Sequence, residues 1–169
     1  MNSAELLADA FGRIREEVHH LLDGLTAEQL AFRVDAEANS IAWLVWHLTR
    51  VQDDHVAAVA GAEQLWTSEG WKERFGLPLD AQETGYGHRA GDVAAVRVES
   101  ADLLGDYHDA VHERTVKFVQ QVTDADLDTV VDRRWDPPVT LGVRLVSVIA
   151  DDLEHAGQAA FVRGIVLRR

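Results

Sequence analysis

An all-α fold, a four-helix bundle with one long crossover, is what this sequence predicts. Three observations carry that expectation. Four stretches place apolar residues at helical intervals, and one long aperiodic segment separates the second from the third. The chain is also long enough, at 169 residues, to bury a core without staples, with 47% hydrophobic and 27% charged residues. It is read as a single domain spanning 1–169.

The first helix runs from about Ser3 to Asp23, with Leu6, Leu7, Ala10, Phe11, Ile14, Val18, Leu21 and Leu22 recurring at helical intervals. Asn2 or Ser3 can cap it and Gly24 can end it. TAEQL (26–30) has the capping-box pattern and opens a short helical turn. The second long helix follows Asn39 and Ser40, carries Ile41, Leu44, Val45, Leu48 and Val51 on one stripe, and reaches about Gly61. Residues 62–99 break the periodicity. Trp66, Trp71, Phe75 and Tyr86 in this segment predict an ordered excursion packed over something. The third helix begins after Ser100, with Leu104, Val111, Phe118, Val119 and Val122 as its apolar face. Residues 123–138 read as a turn, a short helix at DADL and an extended stretch, RRWDPP. The fourth helix runs from about Thr140 to Val166.

Charge and cysteine content narrow the functions. A formal charge of −13 argues against a nucleic-acid partner, which needs a basic patch. No run of 18 apolar residues exists, so neither a membrane partner nor a signal peptide is expected, and the expected location is cytoplasmic. With no cysteine, thiolate metal sites and a cysteine nucleophile are excluded. Any metal must be held by His, Asp or Glu, which suits divalent ions such as Zn or Ni. Any thiol chemistry must use the sulfur of a small cosubstrate.

Asp151 and His155 lie four residues apart, one above the other on a helix face. That spacing suits an ion pair, or one edge of a metal site. On helical wheels His47 flanks the apolar stripe of the second helix and His55 falls inside it, while Asp151 and His155 sit at the edge of the fourth helix's buried face. His47, Asp151 and His155 would supply two nitrogens and one oxygen, leaving an open coordination position of the catalytic kind. His108 and His112 form a rival H-x-x-x-H pair, read as one partly buried imidazole with a more exposed neighbour. His88, in GYGH, can reach a cavity mouth, and His19 and His20 stand at a rim.

NSIAWLVWHLTRVQDDHV (39–56) and VIADDLEHAGQAAFVRG (148–164) resemble the two signature helices of the DinB/YfiT-like superfamily. With WTSEGWKERFGLP (66–78) and TGYGH (84–88), they resemble its branch related to mycothiol- and bacillithiol-dependent enzymes. The resemblance implies a four-helix bundle holding a metal by three side chains. Its ligand positions fall on His47, Asp151 and His155, with a shorter carboxylate at 151 where the family commonly has His or Glu. It further implies a metal-dependent S-transferase in which a bound thiol attacks a small electrophile. Asp54, His55 and His88 would then serve as supporting or proton-handling groups. The Ala-, Val-, Asp- and Arg-rich composition favours mycothiol as the cosubstrate. Two alternatives stay open: a metal-binding stress-response or hydrolase-like bundle without thiol chemistry, and a small-ligand module that has lost its metal. A homodimer through apolar margins of the first and third helices is a further expectation.

Overall fold

In a computed structural model describing all 169 residues, four long helices form the body: α1 (Ser3–Leu22), α3 (Ile41–Ala60), α7 (Ala101–Val119) and α8 (Leu141–Val166). Short helices α2 (Ala27–Leu30), α4 (Leu65–Ser68), α5 (Trp71–Phe75) and α6 (Ala90–Ala95) lie in the connections. The ends are set by local chemistry. Asn2 and Glu5 close a capping box on α1, and Thr26 and Gln29 close one on α2. Ser40, Ser100 and Thr140 accept backbone N–H groups at the starts of α3, α7 and α8. Gly61, at φ +64°, ends α3 in the left-handed conformation.

Side-chain pairs fix the directions. Arg15 meets Asp109 while Leu22 lies near Gly105, so α1 and α7 are antiparallel. His47 lies against His155 and His55 against Arg144, so α3 and α8 are antiparallel. Arg50 reaches Tyr107 and Gln52 reaches Thr115, so α3 and α7 run the same way. Two consecutive long helices that are parallel require a connection spanning the bundle, which residues 61–100 supply. No helix is long and apolar enough to cross a membrane.

The crossover is not featureless. Trp66, Trp71 and Phe75 are buried and surround the Tyr107 ring at centroid distances of 5.4, 5.3 and 5.7 Å. Tyr86 departs from the expectation and is 94% exposed. A buried polar network pins the segment down. Asp53 accepts the backbone N–H groups of Leu65 and Trp66, the Tyr107 hydroxyl and the Arg114 guanidinium. Arg50, fully buried, donates to Gln64 and to the carbonyls of Ala81 and Glu83, with its guanidinium 4.9 Å from the Trp66 ring centroid. The two buried charges of this network are thereby paired and hydrogen-bonded.

Two local expectations are corrected. RRWDPP is not an extended stretch: residues 133–138 form the turn between two short antiparallel strands, β1 (Val130–Asp132) and β2 (Val139–Thr140), after a 3-10 turn at Asp126–Asp128. Asp132 holds that turn by accepting from the backbone and side chain of Arg134. The buried face of α3 is also displaced. Gln52, Asp53 and Val56 are buried, whereas Val51 and His55 are only partly so, because α7 and the crossover offer polar partners to Gln52 and Asp53.

Candidate metal centre

The antiparallel packing of α3 on α8 brings His47 face to face with the Asp151–His155 turn. One donor atom from each of His47, Asp151 and His155 lies within 4.8 Å of the others. The two imidazole centroids are 4.7 Å apart at an interplanar angle of 68°. His155 Nε2 stands 3.6 Å from Asp151 Oδ1, too long for a hydrogen bond.

Each imidazole is oriented from behind. The Nδ1–H of His47 donates to the Thr84 carbonyl at 2.5 Å, which directs the Nε2 lone pair forward. The Trp43 ring stacks on His47 at 4.5 Å and 17°. His155 Nδ1 faces Gln158 Oε1 at 3.3 Å, leaving Nε2 on the Asp151 side. Burial first, offset by the Thr84 hydrogen bond, lowers the His47 pKa and favours the neutral, ligating form.

The donor set fits a divalent cation on two counts. Asp151 Oδ2 is buried with no hydrogen-bond partner, a costly state that a cation would relieve. Two imidazole nitrogens and a carboxylate oxygen also match the ligand preferences of Zn and similar ions. At Zn–ligand distances of about 2.0–2.1 Å, donors in a tetrahedral shell lie about 3.3 Å apart, so these would draw together by up to about 1.5 Å. A plain Asp151–His155 ion pair leaves both the orphaned oxygen and the converging His47 without a reason.

The crossover wraps the outer side of His47. Arg50 holds the Ala81 and Glu83 carbonyls, immediately before Thr84. Gly85 follows at φ +100°, and a Cβ there would stand 2.5 Å from His47 Nδ1 and 3.1 Å from Trp43. Only glycine admits that approach. His88 is nearly buried, with 6% of its side chain exposed. It lies between Trp43 and Trp46, accepts from Trp43 Nε1 at 3.1 Å and donates to Glu83 at 2.9 Å. These contacts hold Trp43, which in turn stacks on the His47 ring.

His55 and Asp54 lie two turns further along α3. His55 Nδ1 accepts from Arg144 at 2.6 Å, and burial followed by that cation lowers its pKa, with Asp54 and then Asp151 opposing. Asp54 accepts from Gln64 and lines a separate cavity with it. His108 differs from its expected half-exposed state: it is fully buried, neither nitrogen has a partner, and burial pushes its pKa down to about 3. His112 is partly buried, and no third donor joins the pair. His19 and His20 are exposed, as expected, with His19 on Asp109.

Sequence reasoning passed over Trp43, Arg50, Asp53, Thr84, Gly85 and Asp152. A signal existed for Asp152, which falls at core spacing between Leu145, Val148, Ala156 and Ala159 and is fully buried. Arg50 and Asp53 carried the same signal, being opposite charges three apart inside an apolar helix. Thr84 and Gly85 carried none, since a loop carbonyl's target is not encoded locally.

The fold, with a two-histidine, one-aspartate cluster between its second and last long helices, defines a DinB-like helical bundle. The family model described as Mycothiol-S-transferase matches residues 6–166, and the chain belongs to that family. A solved crystal structure of a conserved protein from Enterococcus faecalis is 32% identical and superposes with a TM-score of 0.93, covering 100% of this chain and 99% of that one. No curated protein matches.

Proposed function

We propose that this protein is a metal-dependent S-transferase that joins a low-molecular-weight thiol, mycothiol, to small electrophiles, with His47, Asp151 and His155 as the metal ligands. The convergence of these three donors around a buried, partnerless Asp151 oxygen is the observation that carries the reading, and family membership supports it. A divalent ion such as Zn or Ni would coordinate a thiol sulfur and make it a thiolate at neutral pH, where a free thiol titrates near ~8.5.

The chain's own residues do the rest. Trp43, Thr84 and His88 hold His47, and Gln158 orients His155. Asp151 and His55, at 35% and 36% side-chain exposure, form the open side from which the thiol proton leaves to solvent. His55 would relay it, with Asp54, held by Gln64, 4.0 Å from His55 Nδ1. A cavity of about 500 Å³ is lined by Leu44, Phe161 and Val162 with Glu154 and Gln158, the last of which faces His155, and it suits an apolar electrophile. There a thiolate sulfur would form a C–S bond to the electrophilic carbon as that carbon's bond to its leaving group breaks, the leaving group taking the bonding pair. A cytoplasmic setting, where such thiols are reduced, belongs to the same proposal.

The 4.8 Å spread of the donors favours a second reading, a small-ligand module without a resident metal. Thiol dependence tests the first. Conjugation of a fluorogenic electrophile should be fast with mycothiol, slow with glutathione, and absent without thiol. Turnover indifferent to the thiol would remove the transferase assignment.

A further inference from the structure

One face of α8 carries three chemistries in sequence. Arg144, Asp151, His155, Gln158 and Val162 follow one another at steps of seven, four, three and four residues, which sets all five within about 60° on the helix. Asp151 and His155 are donors of the cluster with His47, and Gln158 and Val162 line the cavity shared with Leu44 and Phe161. Arg144, the fourth residue of the helix, belongs to neither.

The fold satisfies Arg144 only in part. Its side chain is 16% exposed, yet only two of its five N–H groups meet protein acceptors, His55 Nδ1 and Asp132 Oδ2. With Arg134, Asp132, Ala58, Val59 and Val131 it lines a cavity of about 340 Å³. Asp132 serves both guanidiniums, at 2.8 Å from Arg134 and 3.2 Å from Arg144, so the cavity keeps one positive charge over. Asp54, the next carboxylate, is held by Gln64 and lines a different cavity. On a chain of net charge −13, four other cavities have a net negative lining. Helix α8 also has no acidic residue in its first turn, so the positive end of its dipole adds to the two arginines. A mostly buried guanidinium with free N–H groups and an excess charge is suited to a carboxylate, which it can hold by two parallel hydrogen bonds.

We propose that Arg144 and Arg134 form a carboxylate subsite, and that the electrophile is a long-chain carboxylic acid lying along α8. Its carboxylate would rest on Arg144, its reacting carbon at the His47–Asp151–His155 cluster and its apolar tail in the Leu44–Phe161 cavity. The electrophile rests on the transferase reading; the subsite does not. Arg144 precedes Asp151 by seven residues and Gln158 by fourteen, about 10 Å and 21 Å along the axis. An extended chain advances about 1.1–1.2 Å per bond, so about nine bonds lead to the reacting carbon and about eighteen to the cavity. Those lengths describe a fatty acid with its reactive group near mid-chain. Val51, partly buried between His47 and His55 on α3, offers apolar surface to the intervening methylenes. A mid-chain epoxide meets the requirement. The thiol sulfur bonds to one epoxide carbon as that C–O bond breaks, the bonding pair goes to oxygen, and the oxygen takes up the proton that the thiol released. The sum is a hydroxy thioether.

Two measurements separate the subsite from the reaction. Tryptophan fluorescence reads binding, since Trp43 stacks on His47, as tag-free protein is titrated with tetradecanoate or with its methyl ester. The acid should bind at least ~10-fold more tightly than the ester. Arg144→Gln should abolish that preference, and Arg134→Gln, at a side chain 85% exposed, should cut it about 3-fold; circular dichroism checks that both variants keep their helices. Mass spectrometry reads conjugation of mycothiol to the mid-chain epoxide of octadecanoic acid, whose kcat/KM should exceed that of its methyl ester by ~10-fold or more, except in Arg144→Gln. Equal binding of acid and ester by the wild type, or an acid preference that survives both variants, would overturn the subsite. Conjugation of a small neutral electrophile without conjugation of the epoxy acid would overturn the long-chain assignment. An acid preference with no conjugation of any electrophile would remove the transferase reading and this electrophile with it, and would support the subsite alone.

Discussion

Replacing Gly85 by alanine places a methyl group 2.5 Å from His47 Nδ1 and 3.1 Å from both His47 Cγ and Trp43 Cζ2. Neither neighbour can yield cheaply, because Trp43 is stacked on His47 and hydrogen-bonded to His88. The residue also sits at φ +100°, where a non-glycine side chain costs about 1–3 kcal/mol. Loss of the His47–Thr84 hydrogen bond adds about 1 kcal/mol, for a total of roughly 2–4 kcal/mol of folding stability. A displaced His47 should weaken metal affinity ~10–100-fold, the usual cost of losing a group that orients a ligand. Gly87→Ala is the control: its φ is +77°, but nothing lies within 4 Å of the added Cβ, so it incurs the backbone strain without the clash. Urea denaturation measures the stabilities, and chelator competition measures the zinc affinities. Equal zinc affinity in the Gly85 and Gly87 variants would refute the view that the crossover positions His47.

Three other outcomes are expected. His108 is neutral in the fold at a pKa of about 3 and titrates near ~6.5 when unfolded, so its contribution is intact above pH 6.5 and is lost as pH falls towards 3. At ~1.4 kcal/mol per pH unit, about 2 kcal/mol is gone by pH 5; His108→Leu should recover that much of the acid sensitivity in urea titrations at pH 7 and 5. Arg50→Met leaves Asp53 buried with only Arg114 as countercharge and should cost about 3 kcal/mol; a loss under ~1 kcal/mol would show that the network does not anchor the crossover. Asp152 is fully buried with both oxygens partnerless, and burial, then Asp151, raises its pKa. Its unfolded form ionises above about pH 3.8, so stability is lost as pH rises. Asp152→Leu should therefore stabilise by ~1–3 kcal/mol, and by more at pH 7 than at pH 4.

The bundle was legible because its signals are local and repeat. Leu7, Phe11, Ile14, Val18, Leu21 and Leu22 are buried where their spacing placed them, although Leu6 is exposed, and Ser40, Ser100 and Thr140 cap the helices that follow. The meeting of residue 47 with residues 151 and 155 was legible only through family resemblance, since wheel positions show that a side chain faces inward but not what faces it. His55 illustrates the gap. Its wheel position looked more central than that of His47, yet Gln52 and Asp53 turn inward to partners on α7 and the crossover and carry His55 towards solvent. The packing of residues 62–99 was foreseen from Trp66, Trp71 and Phe75, but Tyr107, 30 or more residues away, is the surface they cover. The role of Thr84 depends on a backbone carbonyl, which has no side-chain signature.

Elemental analysis of tag-free protein, combined with X-ray absorption at the edge of the metal found, bears most directly on the cluster between α3 and α8. One divalent ion per chain is expected, with nitrogen and oxygen neighbours, and it should vanish from His47→Ala and from His155→Ala while both variants keep their helical spectrum. Wild-type protein that conjugates mycothiol with no metal bound, or full metal content in both alanine variants, would contradict a catalytic ion held by His47, Asp151 and His155.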